Sequence, residues 1–215
     1  HTLTNGKTEK GKSQGTILLQ SKFSLPNQKP YKAMKYNLGW AKKAYQSGQI
    51  ESYVFFWGHN PKTKNGRIHK TCFSQWWDGV FEVEDVLYKS AEHWMMAKKA
   101  EVFGDAEMYQ KIIDAFSPAE AKRLGRKVRN FDHNTWDSLR YELVKEGNLH
   151  KFGKSKKLKK FLFETGDAVL VEASPFDTIW GVGLTQDAPN IENPNTWLGD
   201  NLLGFVLMEV RDELK

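Results

Sequence analysis

Cysteine is almost missing from this 215-residue chain: Cys72 stands alone. No internal disulfide can form, and one thiol fits a reducing compartment such as cytosol or nucleus. Long hydrophobic runs are also lacking. No stretch approaches the ~18 residues of a membrane span, and the chain begins at His1 without the apolar segment of a secretion signal. The expectation is an intracellular protein, cytoplasmic or nuclear, that works off the membrane. Six histidines, His1, His59, His69, His93, His133 and His150, include no i,i+4 pair. With a single cysteine beside them there is no zinc signature, so neither a metal nor another cofactor is expected. Internal repeats are absent as well.

Aromatic residues, in contrast, are plentiful at 13%, with eight tryptophans, and hydrophobic residues reach 40%. A chain of this length holds one domain with a substantial core, and the surplus of flat rings suits stacking on bases. The formal charge of +6 and the pI near 9.2 favour an anionic partner. Residues 1–15, HTLTNGKTEKGKSQG, are polar, Gly-rich and basic, and read as a disordered tail. Gly6, Gly11, Lys12 and Ser13 complete the spacing of a phosphate-cradling loop. That motif needs a strand before it and a helix after it, and neither is present here.

Beyond the tail the chain reads as an extension over 16–50 and a domain over 51–215. Helical spacing runs from about Lys32 to Ser47, with Gly48 as its stop. SYVFFW (52–57) reads as a buried strand, Asn65-Gly66 as a turn, and VFEVEDVLY (80–88) as a strand or short hairpin. Ser90 caps a helix that runs to about Phe103, ended by Gly104. Further helices cover DAEMYQKIIDAF, the capping box SPAE (117–120) ended by Gly125, about Asn134 to Lys151, and Ser155 to Thr165. AVLVEAS (168–174) is an interior strand that leads into the Gly-punctuated loop PFDTIWGVGL. Residues 185–200 read as a surface loop, and the last segment as an amphipathic helix capped by Asp200. Helices outnumber strands and do not alternate regularly with them, so the fold class is α+β, a mainly helical single domain around a small sheet.

Two places could carry chemistry. In SAEHWMMAKKA (90–100), Glu92 and Lys99 are seven residues apart and project from nearly one stripe, with Met95 and Met96 between them. They form either an edge ion pair whose stems cover apolar surface or a reactive pair. Burial would disfavour the ammonium of Lys99 and free its lone pair, while a nearby carboxylate would oppose that shift. The second place is EASPFDTIWGVGL, where Asp177 follows an apolar strand and precedes Trp180 and Gly181. It is equally consistent with acid or base chemistry beside a stacking ring and with a turn aspartate beside a core tryptophan. Glu172 can line the same place. Weaker candidates are Ser74, Gln75 and Trp76 in FSQWW, with Trp77, and Trp197 and Asn201 in WLGDNLLG; core packing and capping explain them nearly as well. The basic run KFGKSKKLKK (151–160) is a solvated face or a phosphate contact.

Taken in order, FSQWW, YKSAEHWMMAKKA, LGRKVRNF, LRYELVKEGNLHKF after Trp136, LVEASPFDTIWGVGL and WLGDNLLG resemble the NADAR (NAD- and ADP-ribose-associated) domain family of YbiA-like N-glycosidases, from about residue 53 to the end. The resemblance implies an α+β fold and hydrolysis of N-glycosidic bonds. It implies two substrate groups: ribosylaminopyrimidine phosphates of riboflavin synthesis, and guanine ADP-ribosylated on its exocyclic amino group. It puts Lys99, Glu92 and Asp177 in the catalytic role. It sets Trp180 beside them, and together with the residues read above the expected substrate contacts are Trp180, Gly181, Ser74, Gln75, Trp76, Arg126, Trp197 and Asn201. Where the family often has Gln or Tyr before its lysine, this chain has Lys98, which points about 100° away from Lys99 on a helix. Both substrate groups carry an arylamine nitrogen on the anomeric carbon of ribose, so a Lys99 imine and direct attack by water are the alternative mechanisms. Net charge and the longer motifs favour the ADP-ribosyl-guanine nucleotide or nucleic acid as partner, ahead of the riboflavin intermediate and of a silent ADP-ribose reader. Oligomeric state is not legible.

Overall fold

Seven helices and two short strand pairs make up residues 33–59 and 67–215, the part of the computed structural model that is described. The tail at 1–15, with its loop-like glycine spacing, and the Asn65-Gly66 turn lie outside it. Strand β1 (Tyr53–Phe56) runs parallel to β4 (Val169–Glu172), with Phe56 opposite Glu172. Val169, Leu170 and Val171 are all buried. This is the reason the segment reads as continuously apolar rather than alternating. Because the pair is parallel, both carboxyl ends open on the same edge.

Strands β2 (Phe81–Val83) and β3 (Val86–Tyr88) form an antiparallel hairpin. Its two turn residues, Glu84 and Asp85, both have positive φ, 50° and 63°. That is the backbone a two-residue hairpin requires, adopted here without glycine.

Helices α1 (Leu38–Gln46), α2 (Ala91–Val102), α3 (Ala106–Asp114), α4 (Pro118–Gly125), α5 (His133–Gly153), α6 (Lys156–Phe163) and α7 (Leu202–Leu214) follow in chain order. Helix α2 is the hub, packed by α3, α4 and α5, while α7 is wedged between α5 and β4. Ser90, Asp105, Ser117, Asp132 and Ser155 each accept the backbone N–H three residues on. These side chains satisfy donors that a helix start leaves open, so the starts were readable from sequence. No helix among the described residues is long and apolar enough to cross a membrane.

Several expectations are corrected. Helix α1 starts at Leu38, not near Lys32, because Asn37 caps the Trp40 N–H. Gly125 is no stop signal: it is the last residue of α4, and an added Cβ would lie 2.1 Å from Met96 Sδ. In SPAE the Ser117 half of the capping box forms, but Glu120 takes the Phe116 N–H rather than that of Ser117. The 185–200 segment is not merely surface, since it buries Ile191, Pro194 and Trp197 around the short turn Pro194–Thr196. Helix α7 is buried on every side from Leu203 to Arg211 rather than amphipathic. Its cap is Asn201, not Asp200. Asn201 sits at φ 54° and makes no cap bond with its side chain.

The described end of the 16–50 segment packs on α7. The Lys35 N–H bonds Glu209, Tyr36 Oη donates to Asp212 at 2.7 Å, and Trp40 meets Phe205 edge-on.

Gly147 offers a test of how tightly α2 is held. In mid-α5 its absent Cβ leaves room for the Trp94 indole, which would otherwise lie 2.4 Å away and is pinned by a 2.7 Å bond from Nε1 to the Leu143 carbonyl. Alanine would gain up to about 1 kcal/mol of helix propensity. It would lose about 1–3 kcal/mol to overpacking against a ring that cannot retreat. Gly147→Ala should therefore lower stability by about 1–2 kcal/mol in denaturant titration; an unchanged or raised midpoint would mean the indole yields freely.

Candidate active site

Glu92 lies in the first turn of α2, where Ser90 and the Gln75 carbonyl fix the backbone: the Glu92 N–H donates to that carbonyl at 2.9 Å. Its side chain is 2% exposed, and Oε1 has no hydrogen-bond partner. Burial pushes its pKa up to about 7, and Asp177 adds to the rise; Lys122, a hydrogen bond from Trp76 and the Arg126 guanidinium hold it down. The group thus exchanges protons near neutral pH.

Asp177 heads the loop after β4. Its Oδ1 accepts the N–H groups of Ile179 (2.9 Å) and Trp180 (2.7 Å), which folds the loop back on itself. Glu172, the last residue of β4, adds a third carboxylate. Its pKa is pushed up to about 8 by burial first, then by Asp177 and Glu92, against the pull of Lys122. Its Oε2 is buried and unpartnered. Glu92, Glu172 and Asp177 are therefore within electrostatic reach of one another at the carboxyl ends of the parallel pair. This is where open sheets with parallel strands hold ligands. Among the described residues no His, Cys, Asp and Glu cluster is arranged to hold a metal ion.

Lys99 occupies the last turn of α2, about 10 Å of helix rise beyond Glu92. Helical side chains lean toward the N-terminus, so its stem points back along the stripe. Its Nζ lies over the Phe131 ring at 4.0 Å from the centroid, with Trp136 at 5.7 Å. Burial lowers its pKa and the Arg126 guanidinium lowers it further. The edge ion pair between Glu92 and Lys99 is thus not what the structure contains. Lys98 has that ordinary role, paired with Glu101 at 2.8 Å and lying over Trp94.

The remaining candidates divide in two. Trp76 bonds Glu92 and carries Lys122 over its ring at 5.7 Å, while Arg126, exposed at the end of α4, is within reach of both Glu92 and Lys99. Trp180 is half-buried against the core beside Asp177. The others frame the site. Ser74 offers its carbonyl to the buried Lys151 amine at 2.9 Å, and Gln75 accepts from Asn148, also at 2.9 Å. Gly181 has no room for a side chain, since a Cβ would lie 2.8 Å from the Glu172 carbonyl. Asn201 spends its amide on the Leu170 carbonyl and the Glu172 N–H. Trp197 donates to the Ile191 carbonyl at 2.6 Å inside its own loop. Lys122 was missed in the sequence, although it lies one helical turn before Arg126 on the same face.

The profile of the NADAR domain matches residues 55–215. The chain belongs to the NADAR domain family. An N-glycosidase of Acanthamoeba polyphaga mimivirus is 46% identical to it over 171 residues, 77% of this chain and 98% of that protein. An N-glycosidase of Nostoc punctiforme is 32% identical, covering 67% and 85% of the two chains. A riboflavin biosynthesis protein of Vibrio vulnificus is 32% identical over 62% of this chain and 32% of its own length. The NMR structure of the E. coli protein YbiA superposes with a TM-score of 0.60 at 24% identity, over 77% of this chain and 86% of that one, and so shares the fold.

The raised pKa of Glu92 has a consequence for stability in this NADAR domain. A carboxyl with a native pKa of about 7, against an ordinary 4.5, binds more protons folded than unfolded. Its contribution to stability is complete below about 4.5 and is lost as pH climbs through 7, at up to about 1.4 kcal/mol per pH unit. Relative to the natural protein, Glu92→Gln should therefore gain thermal stability steadily between pH 5 and 7.5. A difference in Tm that stays constant across that range would show that Glu92 is already ionised.

Proposed function

We propose that this NADAR protein is an N-glycosidase that releases guanine, in a nucleotide or a nucleic-acid strand, from ADP-ribose attached to its exocyclic amino group, through an imine between Lys99 and the ring-opened ribose. One observation carries the reading: the Lys99 amine rests on aromatic faces beside a guanidinium, and burial together with that guanidinium lowers its pKa. A lowered pKa enlarges the fraction of the amine that has a lone pair to offer. The relatives named N-glycosidases support the bond type.

Proton transfer to the ribose ring oxygen breaks its bond to the anomeric carbon, while the arylamine nitrogen supplies an electron pair to form a C=N bond. Neutral Lys99 adds to that carbon. After a proton passes from the lysine nitrogen to the arylamine, the guanine amino group leaves and a lysine imine remains. Water adds to the imine, the lysine departs as an amine, and ADP-ribose recloses its ring. Glu92, poised near neutrality, and Asp177 donate and recover the protons. Binding energy for the phosphates comes from Lys122 and Arg126 at the rim. Two exposed rings, Trp57 at 52% and Phe176 at 87%, lie 6.2 Å apart beside Asp177 and offer a surface on which a base can stack. The net charge of +6 supports a polyanionic substrate over a free metabolite.

A second reading, hydrolysis of ribosylaminopyrimidine phosphates, is favoured by the relative named as a riboflavin biosynthesis protein. Assaying release of guanine from an ADP-ribosylated oligonucleotide beside turnover of the pyrimidine intermediate decides between them; turnover of the intermediate alone would reverse the order. Lys99→Ala should reduce the rate at least ~10³-fold by removing the nucleophile. Borohydride added during turnover of the ADP-ribosylated oligonucleotide should fix one ADP-ribose unit on Lys99 as a reduced secondary amine, and an unmodified Lys99 under full turnover would exclude the imine.

A further inference from the structure

Glu172 has no part in the steps above, yet it is among the most firmly placed side chains of the site. Its N–H donates to Asn201 Oδ1 at 3.0 Å and its carbonyl accepts the Val182 N–H at 2.9 Å, so the main chain is fixed from both sides. The side chain therefore leaves a rigid frame. At its tip Oε2 is closed off from solvent without a partner, and Glu92 Oε1 is in the same condition. Buried polar atoms without partners are few in native proteins, and each calls for a group that completes it. Two such acceptor oxygens, on carboxyls close enough to shift one another's charge, match a ligand that brings hydroxyl donors.

The charges that face Glu172 are Asp177 from the following loop, Glu92 from α2 and Lys122 from α4. Two anions and one cation give little support to a third negative charge.

We propose that Glu172 acts as a neutral carboxylic acid that grips a hydroxyl of the substrate's ribose, and so selects a ribosyl group and fixes it beside the proton-transferring carboxyls. The inference rests on the N-glycosidase reading and deepens it by naming the sugar contact. A neutral acid has an O–H donor and a carbonyl acceptor, so it can donate to one sugar oxygen and accept from a hydroxyl, whereas a carboxylate can only accept. Holding the proton on Glu172 also lowers the repulsion felt by Asp177 and Glu92, which leaves those two free to exchange protons with the reacting atoms.

The test compares the natural protein with Glu172→Gln, a neutral group of the same shape, and Glu172→Ala. Three quantities are measured from pH 6 to 9: affinity for ADP-ribose by calorimetry, kcat/KM on the ADP-ribosylated oligonucleotide, and the infrared band of a protonated carboxylic acid. ADP-ribose affinity of the natural protein should weaken by up to about tenfold per pH unit above about 8. Glu172→Gln should bind within about threefold of it at pH 7 without the alkaline loss, and Glu172→Ala should bind about 10²-fold more weakly. The acid band should be present at pH 7 and diminished in Glu172→Gln. A glutamine variant as weak as the alanine one, an alkaline loss that persists in it, or no acid band assignable to Glu172 would each overturn the inference. Binding and infrared readings need no turnover. A protein that passes both and releases no guanine refutes the proposed reaction while leaving the role of Glu172 intact.

Discussion

The Asn201 side chain is the clasp on which the site depends. One amide joins the Leu170 carbonyl and the Glu172 N–H, and the same residue turns the chain through a left-handed conformation into α7. Among the described residues strand β4 has only β1 as a neighbouring strand, and on its other edge that side chain holds the Leu170 carbonyl and the Glu172 N–H, beside the Val182 N–H on the Glu172 carbonyl. Gly204 lets α7 approach closely enough for this, since a Cβ there would lie 2.0 Å from the Leu170 carbonyl. From the end of the clasped strand come Glu172 and the loop whose first turn is tied by Asp177. Loop, strand and helix are thus one hydrogen-bonded unit, and the carboxylates on it inherit its rigidity.

A second frame stands opposite. Helix α5 reaches the 74–77 segment through Lys151, bound to the Ser74 carbonyl, and Asn148, bound to the Gln75 side chain. That segment supplies the carbonyl that receives the Glu92 N–H and the indole that bonds the Glu92 carboxyl. Lys151 is fully buried with its pKa lowered to about 8, and it is held by a carbonyl and the faces of Trp77 and Phe152 rather than by a counter-charge. Such burial is costly. It is tolerated where it fixes the backbone that carries Glu92.

Local signals were legible in the sequence: cap residues, the interior strand, the hairpin, and the stripe shared by Glu92 and Lys99. Each depends on a few neighbouring residues and a known periodicity. What escaped depends on distant partners. Asn201 looked like a substrate contact because nothing nearby shows that its amide meets β4, thirty residues earlier. Gly125 looked like a stop because its neighbour Met96 comes from another helix. Glu172 was noticed only as a lining residue, and Lys122 not at all, since their charges meet only where α2, α4 and β4 come together. The α+β class was legible in the order of helices and strands, and the NADAR resemblance in the order of motifs rather than in any one of them.

The adjacent lysines of α2 differ in nothing but angle. Lys98 faces Glu101 and the Trp94 ring, while Lys99 faces rings and a guanidinium. Which amine lies beside the guanidinium is therefore written in the phase of the helix, not in the residue type or its immediate neighbours along the chain. A single-residue insertion or deletion between Glu92 and Lys98 would move one lysine into the other's surroundings and carry the second out of both, while leaving the composition of the helix nearly the same. Evolution along this helix is free to change letters at many positions, but it is not free to change the count.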